Sequence, residues 1–311
     1  MDGNLRKLPT DGQFMNLQSS GFLQLRGPAS SGDSDKLYSE LRWLQWLDID
    51  PDLSSWTTNL RLSTLLVLQL SCNRITEDWS GWTLIMAERL KVLDLACCEY
   101  LTCTPDLSVF TKLEILVLKG CQRLEQVHPS IGNVKSLVSL DLSGCGSLNE
   151  LPGELGQLEE LKELILDYAG ITKIPTSIGS LRKLKKLSAR ACQSLREIPS
   201  SIGKLKKLRR LSLESCSSLE GEIPREIGNL SSLEILQLTG TPILDLPETI
   251  TNLSSLKHLS LEECHKLRSL PELPSGLKVL RISSRSPMLP QGCCPMHLET
   301  LHVSWTRSSS S

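Results

Sequence analysis

Chemistry in this chain would have to come from its thiols and imidazoles, its carboxylates or its basic rows. Cys293, Cys294, His297 and His302 crowd four metal-binding side chains into ten residues. Their spacing fits no closed zinc pattern, and Leu298, Leu301 and Val303 explain the same segment as a strand. Asp94 and Asp141 recur at one position of a repeat, two repeats apart. By strand spacing that is roughly 14 Å, too far for a paired-carboxylate mechanism. His258 stands beside Lys257 with no matched nucleophile. No catalytic residue, metal ligand or cofactor site is assigned, and the chain reads as a non-enzyme. It also has no Gly-x-x-x-x-Gly-Lys-Ser/Thr loop to cradle nucleotide phosphates.

The basic rows carry more. Lys185, Lys186, Ser188 and Arg190 are followed one repeat later by Arg209, Arg210, Ser212 and Glu214. On neighbouring parallel strands like charges stand about 5 Å apart, which is unfavourable without counter-charges. One reading is a partner-binding surface of Lys185, Lys186, Arg190, Arg209, Arg210 and Glu214 that meets an anionic protein. The other is local neutralisation, by Glu163 before the patch, Glu234 after it, and Asp167 and Glu214 around Arg190. The runs 182–186 and 204–210 could serve nuclear import, but their leucines belong to a folded core. Nucleic-acid binding lacks aromatic residues for base stacking.

The elements that must position these rows repeat. The unit Leu-x-x-Leu-x-Leu-x-x-Cys begins at Leu41, Leu65, Leu90, Leu113, Leu137, Leu161, Leu184, Leu208, Leu233, Leu256, Leu277 and Leu298. The spacing of 21 to 25 residues is that of leucine-rich repeats. Alternation in a strand sends Leu187 and Ala189 to the core and Lys186, Ser188 and Arg190 to the other face. The stretch Leu195, Ile198, Pro199, Ile202, Leu205 returns to the core through a short helical turn. One unit cannot bury its leucines alone, whereas stacked units share a continuous core. The expected fold is α/β: a horseshoe solenoid with a parallel sheet on the concave face and short helical turns on the convex face. About twelve rungs give an inner face on the order of 55 Å long. A degenerate first repeat and loop, residues 1–40, precedes the solenoid at 41–283. A degenerate last repeat and polar serine tail, 284–311, follows it. Phe22 to Leu25 is the candidate first strand, and Trp56, Trp79 and Trp82 read as large packing residues.

Aromatics are only 4% of the chain, as suits a core of small identical slots filled by leucine. The net charge of −1 excludes a bulk polyanion binder. Of eleven cysteines, Cys98, Cys121, Cys145, Cys192, Cys216 and Cys264 share one repeat position and read as a buried structural ladder. No apolar run of eighteen residues spans a membrane. Residues 1–6 lead into no signal sequence. The expected location is cytoplasmic or nuclear, with reduced thiols.

Three stretches carry a family likeness: Leu90 to Leu95, Thr104 to Ser108 and Val127 to Gly132. With the Leu-Pro and Ser-Ile-Gly units and the closing 270–277, they resemble the leucine-rich region of plant intracellular disease-resistance receptors, of the class with an N-terminal TIR domain. The resemblance covers residues 15–303. It implies repeats that hold such a receptor off and sense a pathogen effector, directly or through a guarded host protein, so that the partner is that effector, that host protein, or nucleotide-binding and TIR receptor domains in trans. Those domains are not in this sequence. The alternative is an intracellular scaffold that assembles signalling partners.

Overall fold

A computed structural model describes residues 21–26, 40–49, 62–85, 87–220, 222–283 and 298–304. The leucine period is realised as one parallel sheet of thirteen strands among the described residues, each hydrogen-bonded to its sequence neighbours. They are β1 (Phe22–Arg26), β2 (Trp43–Leu47), β3 (Val67–Gln69), β4 (Val92–Asp94), β5 (Ile115–Val117), β6 (Ser139–Asp141), β7 (Glu163–Ile165), β8 (Lys186–Ser188), β9 (Arg210–Ser212), β10 (Ile235–Gln237), β11 (His258–Leu261), β12 (Val279–Ser283) and β13 (Thr300–Ser304). The central leucines are in register along the whole stack, as Leu140, Leu164, Leu187 and Leu211 show. Each is fully buried. Trp56, Cys293, Cys294 and His297 lie outside the described residues.

Strands β3 to β10 end after three residues because the backbone turns sharply at a fixed place. Cys72, Cys97, Tyr168, Ala191, Ser215 and Glu263 hold φ between 53° and 61°, and Gly120, Gly144 and Gly240 hold 70° to 75° at the same repeat position. Left-handed φ costs a non-glycine residue roughly 1–2 kcal/mol. The compensation is a hydrogen bond to the next rung. Cys97 N donates to Lys119 O at 2.8 Å, Tyr168 N to Arg190 O at 2.7 Å and Ala191 N to Glu214 O at 2.7 Å.

The next residue is the ladder. All six ladder cysteines are buried. Each thiol donates back to the preceding rung: Cys98 to Leu70 O, Cys121 to Leu95 O, Cys145 to Leu118 O, Cys192 to Leu166 O, Cys216 to Ala189 O and Cys264 to Leu238 O, at 2.9 to 3.2 Å. Asn73 fills the same slot at the N-terminal side and does more. Its amide donates to Trp46 O at 2.7 Å and accepts from Ile49 N at 2.8 Å.

The convex face is built from 3-10 turns at Pro129–Asn133, Gly153–Gln157, Thr176–Ser180, Ser200–Lys204, Arg225–Asn229 and Glu248–Asn252. The Ser-Ile-Gly pattern has a packing reason. A Cβ at Gly203 would lie 2.4 Å from Glu226 O on the next turn, so only glycine lets the turns stack. Between β3 and β4 the convex element is a single α-turn, α1 (Gly81–Leu84), bearing a tryptophan.

Trp46, Trp79 and Trp82 pack edge to face, with centroids 6.5 and 5.1 Å apart. Trp46 and Trp79 are buried, and Trp82 packs against the core.

Candidate protein-binding surface

The outward side chains of the sheet form three rows, and register fixes who meets whom. Lys186 stands opposite Arg210, and Ser188 opposite Ser212. Glu163 stands opposite Lys186, and Ile235 opposite Arg210. Lys185 and Arg209 precede their strands, where Arg209 N and Arg210 N both donate to Lys185 O. The six residues expected to form a surface are therefore brought together on two adjacent rungs.

Their charges are partly neutralised. Arg190 Nε lies 2.8 Å from Glu214 Oε2, and Gln237 Nε2 donates to Glu214 Oε1 at 2.7 Å. Lys186 is 3.8 Å from Glu163, and Arg209 is 3.9 Å from Glu234, which also faces Lys257 at 3.8 Å. Those exposed, long pairs contribute under about 1 kcal/mol each. Among the described residues, Lys185, Arg210 and Arg281 form no ion pair. Asp167 serves the backbone rather than the Arg190 guanidinium: its Oδ1 accepts from Arg190 N at 2.9 Å and Ser188 Oγ at 2.6 Å.

Two expectations need correction. Ser188 and Ser212 do not face solvent; they are 4% and 2% exposed. The two serines stand opposite each other in register, and Ser188 Oγ is held by Asp167. The Ser212 hydroxyl has no partner. Asp94 and Asp141 are separated by one strand, since both pair with Val117. Two strand spacings are roughly 9.6 Å, less than the expected 14 Å. Both carboxylates are occupied as turn acceptors, Asp94 from Ala96 N and Asp141 from Ser143 N and Oγ.

The sequence reading missed the rest of this surface. A concave cavity of about 460 Å³ lies over β9 to β12, lined by Arg210, Glu214, Gln237, His258 and Arg281 among others. His258, Ile235 and Arg210 share one register row, which the repeat numbering alone could have located. At the other end of the same row Phe22, Trp43, Val67, Val92 and Ile115 make an apolar strip. Trp43 and Ile115 are 43% and 38% exposed. Trp43 is fixed by Phe22, edge to face at 5.4 Å, and by donation to Gln69 Oε1 at 3.0 Å.

Among the described residues no group of three or more histidines, cysteines or carboxylates could hold a metal. His302 faces Glu262 at 3.2 Å instead. No described helix is long and apolar enough to cross a membrane.

A family profile described as "Leucine-rich repeat region" matches residues 89–221 and 202–307, more than two thirds of the chain. The chain belongs to the leucine-rich-repeat family. TMV resistance protein N of Nicotiana glutinosa is 35% identical over 199 residues, covering 63% of this chain and 16% of that protein. Disease resistance protein RPS4B of Arabidopsis thaliana is 34% identical over 204 residues, 66% of this chain and 16% of that protein. The match thus spans about a sixth of these plant disease-resistance proteins. The leucine-rich repeat domain of the type III effector XopL superposes with a TM-score of 0.56 at 23% identity, covering 90% of this chain and 86% of that one. That likeness concerns the fold.

Proposed function

We propose that this leucine-rich-repeat chain, with its regular solenoid at 41–283, is the non-enzymatic recognition module of a plant intracellular immune receptor. It acts in the cytoplasm or nucleus and binds protein on its concave face. The observation that supports the reading is the unpaired Arg210 at the centre of that face, beside the Lys186 it faces in register. Arg281 adds a second unpaired guanidinium to the same cavity. Surface cations left without counter-charges favour a negatively charged partner and speed its encounter. The partner is an acidic surface of a pathogen effector, of a guarded host protein, or of the nucleotide-binding and TIR domains of a receptor in trans. The relatives' naming as disease-resistance proteins supports the same setting.

The test is affinity capture from plant cytosol with the folded chain and with Lys186→Glu/Arg210→Glu. An effector or nucleotide-binding receptor domain retained by the first and lost by the second is the expected result. Retention of the same partner by the charge-reversed chain contradicts the concave basic site.

A further inference from the structure

On the convex side, between the β3–β4 and β4–β5 connections, lies a cavity of about 720 Å³. Its size is within the range of ligand pockets. Regular rungs close this space by stacking one 3-10 turn on the next. Here α1 meets the Pro105 to Val109 segment, which has no helical turn, and a gap remains.

The walls include Trp79, Trp82 and Val109. Trp82 is held by donation of its indole N–H to Thr76 O at 2.8 Å. Trp79 is 3% exposed and lines the gap, yet its indole N–H has no acceptor. A buried donor without a partner is costly, which marks this packing as looser than that of the regular rungs. Around the aromatic wall stand four carboxylates, Glu77, Asp78, Glu88 and Asp106. No lysine, arginine or histidine is among the described residues lining it. Four negative charges on one cavity contrast with −1 for the whole chain. Asp106 is held ionised by the Ser108 N–H and hydroxyl. Burial works against the Glu77 anion, but its hydrogen bonds, led by Thr102, outweigh it and keep its pKa low.

We propose that this cavity binds a basic segment of a partner protein, with an arginine or lysine side chain laid along the tryptophan wall. The aliphatic stem covers Trp82 and Val109. The cation meets the carboxylates. Apolar stem, aromatic face and surrounding carboxylates together select a long cationic side chain over a bare ion. The site is separate from the concave surface and stands whether or not that surface binds an acidic partner.

The test uses the full chain labelled with ¹⁵N and the peptide Ac-Ala-Arg-Ala-Arg-Ala-NH2, beside the same peptide with citrulline, an uncharged isostere, for arginine. The arginine peptide shifts the Trp79 and Trp82 indole N–H resonances saturably. Glu88→Gln/Asp106→Asn, both exposed positions, weakens binding at least tenfold while preserving the amide spectrum. Arg210→Glu leaves it unchanged. Equal shifts from the citrulline peptide, undiminished binding by the neutralised variant, or no indole shift at millimolar peptide would each overturn the proposal.

Discussion

Arg190 and Glu214, on neighbouring rungs, close a 2.8 Å ion pair whose carboxylate is also held by Gln237 at 2.7 Å. The pair removes one cation and the candidate surface's own anion from external recognition. Glu214 is the better shielded partner, at 18% side-chain exposure against 53% for Arg190. Glu214→Gln should cost at most about 1 kcal/mol, read from the urea midpoint. It should also free the Arg190 guanidinium and tighten binding of an acidic partner severalfold. Unchanged or weaker binding would place recognition away from this pair.

The cysteine ladder should make the protein sensitive to alkali. Burial raises Cys98 and Cys121 from the ordinary thiol value to about 12. Cys145 is raised for the same reason, and Cys192 by its hydrogen bond with Cys216 and then by burial. A raised folded pKa gives stability that is intact below the unfolded value of 9 and is lost as pH climbs toward 12. The loss approaches about 1.4 kcal/mol per pH unit for each thiol. Cys98→Ala/Cys121→Ala should flatten the slope of unfolding free energy between pH 9 and 11. At pH 8 iodoacetamide should modify the exposed Cys72 and Cys97 and spare all six ladder thiols.

Asn73 makes the ladder's bond to the preceding rung at Trp46 O and also accepts from Ile49 N, which no ladder cysteine does. Asn73→Ala leaves Ile49 N without its acceptor, and should cost roughly 2–3 kcal/mol. Hydrogen exchange should speed up at Ile49 and Leu70 more than at Leu211.

Two glycine-related substitutions should act in opposite directions. Gly203→Ala drives a methyl against Glu226 O and should destabilise by roughly 1–3 kcal/mol. Ala191→Gly relieves a φ of 53° and should stabilise by up to about 1 kcal/mol, net of the extra freedom of the unfolded chain. Thermal midpoints of the two variants on either side of the parent check both.

The rungs were legible because leucine spacing encodes burial directly: Leu187 and Leu211 are core by pattern and by structure. What the pattern lacked was the reach of side chains across rungs. Ser188 looked exposed by alternation but is buried, its hydroxyl held by Asp167. Of the two carboxylates expected around Arg190, only Glu214 meets its guanidinium. Asp167 was read as a counter-charge and instead caps the Arg190 backbone N–H. Trp79 and Trp82 were legible as packing residues, but the cavity beside them was not. It arises where α1 meets a connection without a helical turn, and neither segment records that mismatch alone.

Site-specific photocrosslinking tests most directly whether recognition is concave. A photoreactive residue placed at Ile235, the register neighbour of Arg210, is compared with one at the convex Lys206, in plant cytosol. A discrete crosslinked protein from Ile235 that is absent at Lys206 and is suppressed by Lys186→Glu/Arg210→Glu is the expected result. The same protein crosslinked equally from Lys206, or undiminished by charge reversal, would contradict a concave basic recognition surface.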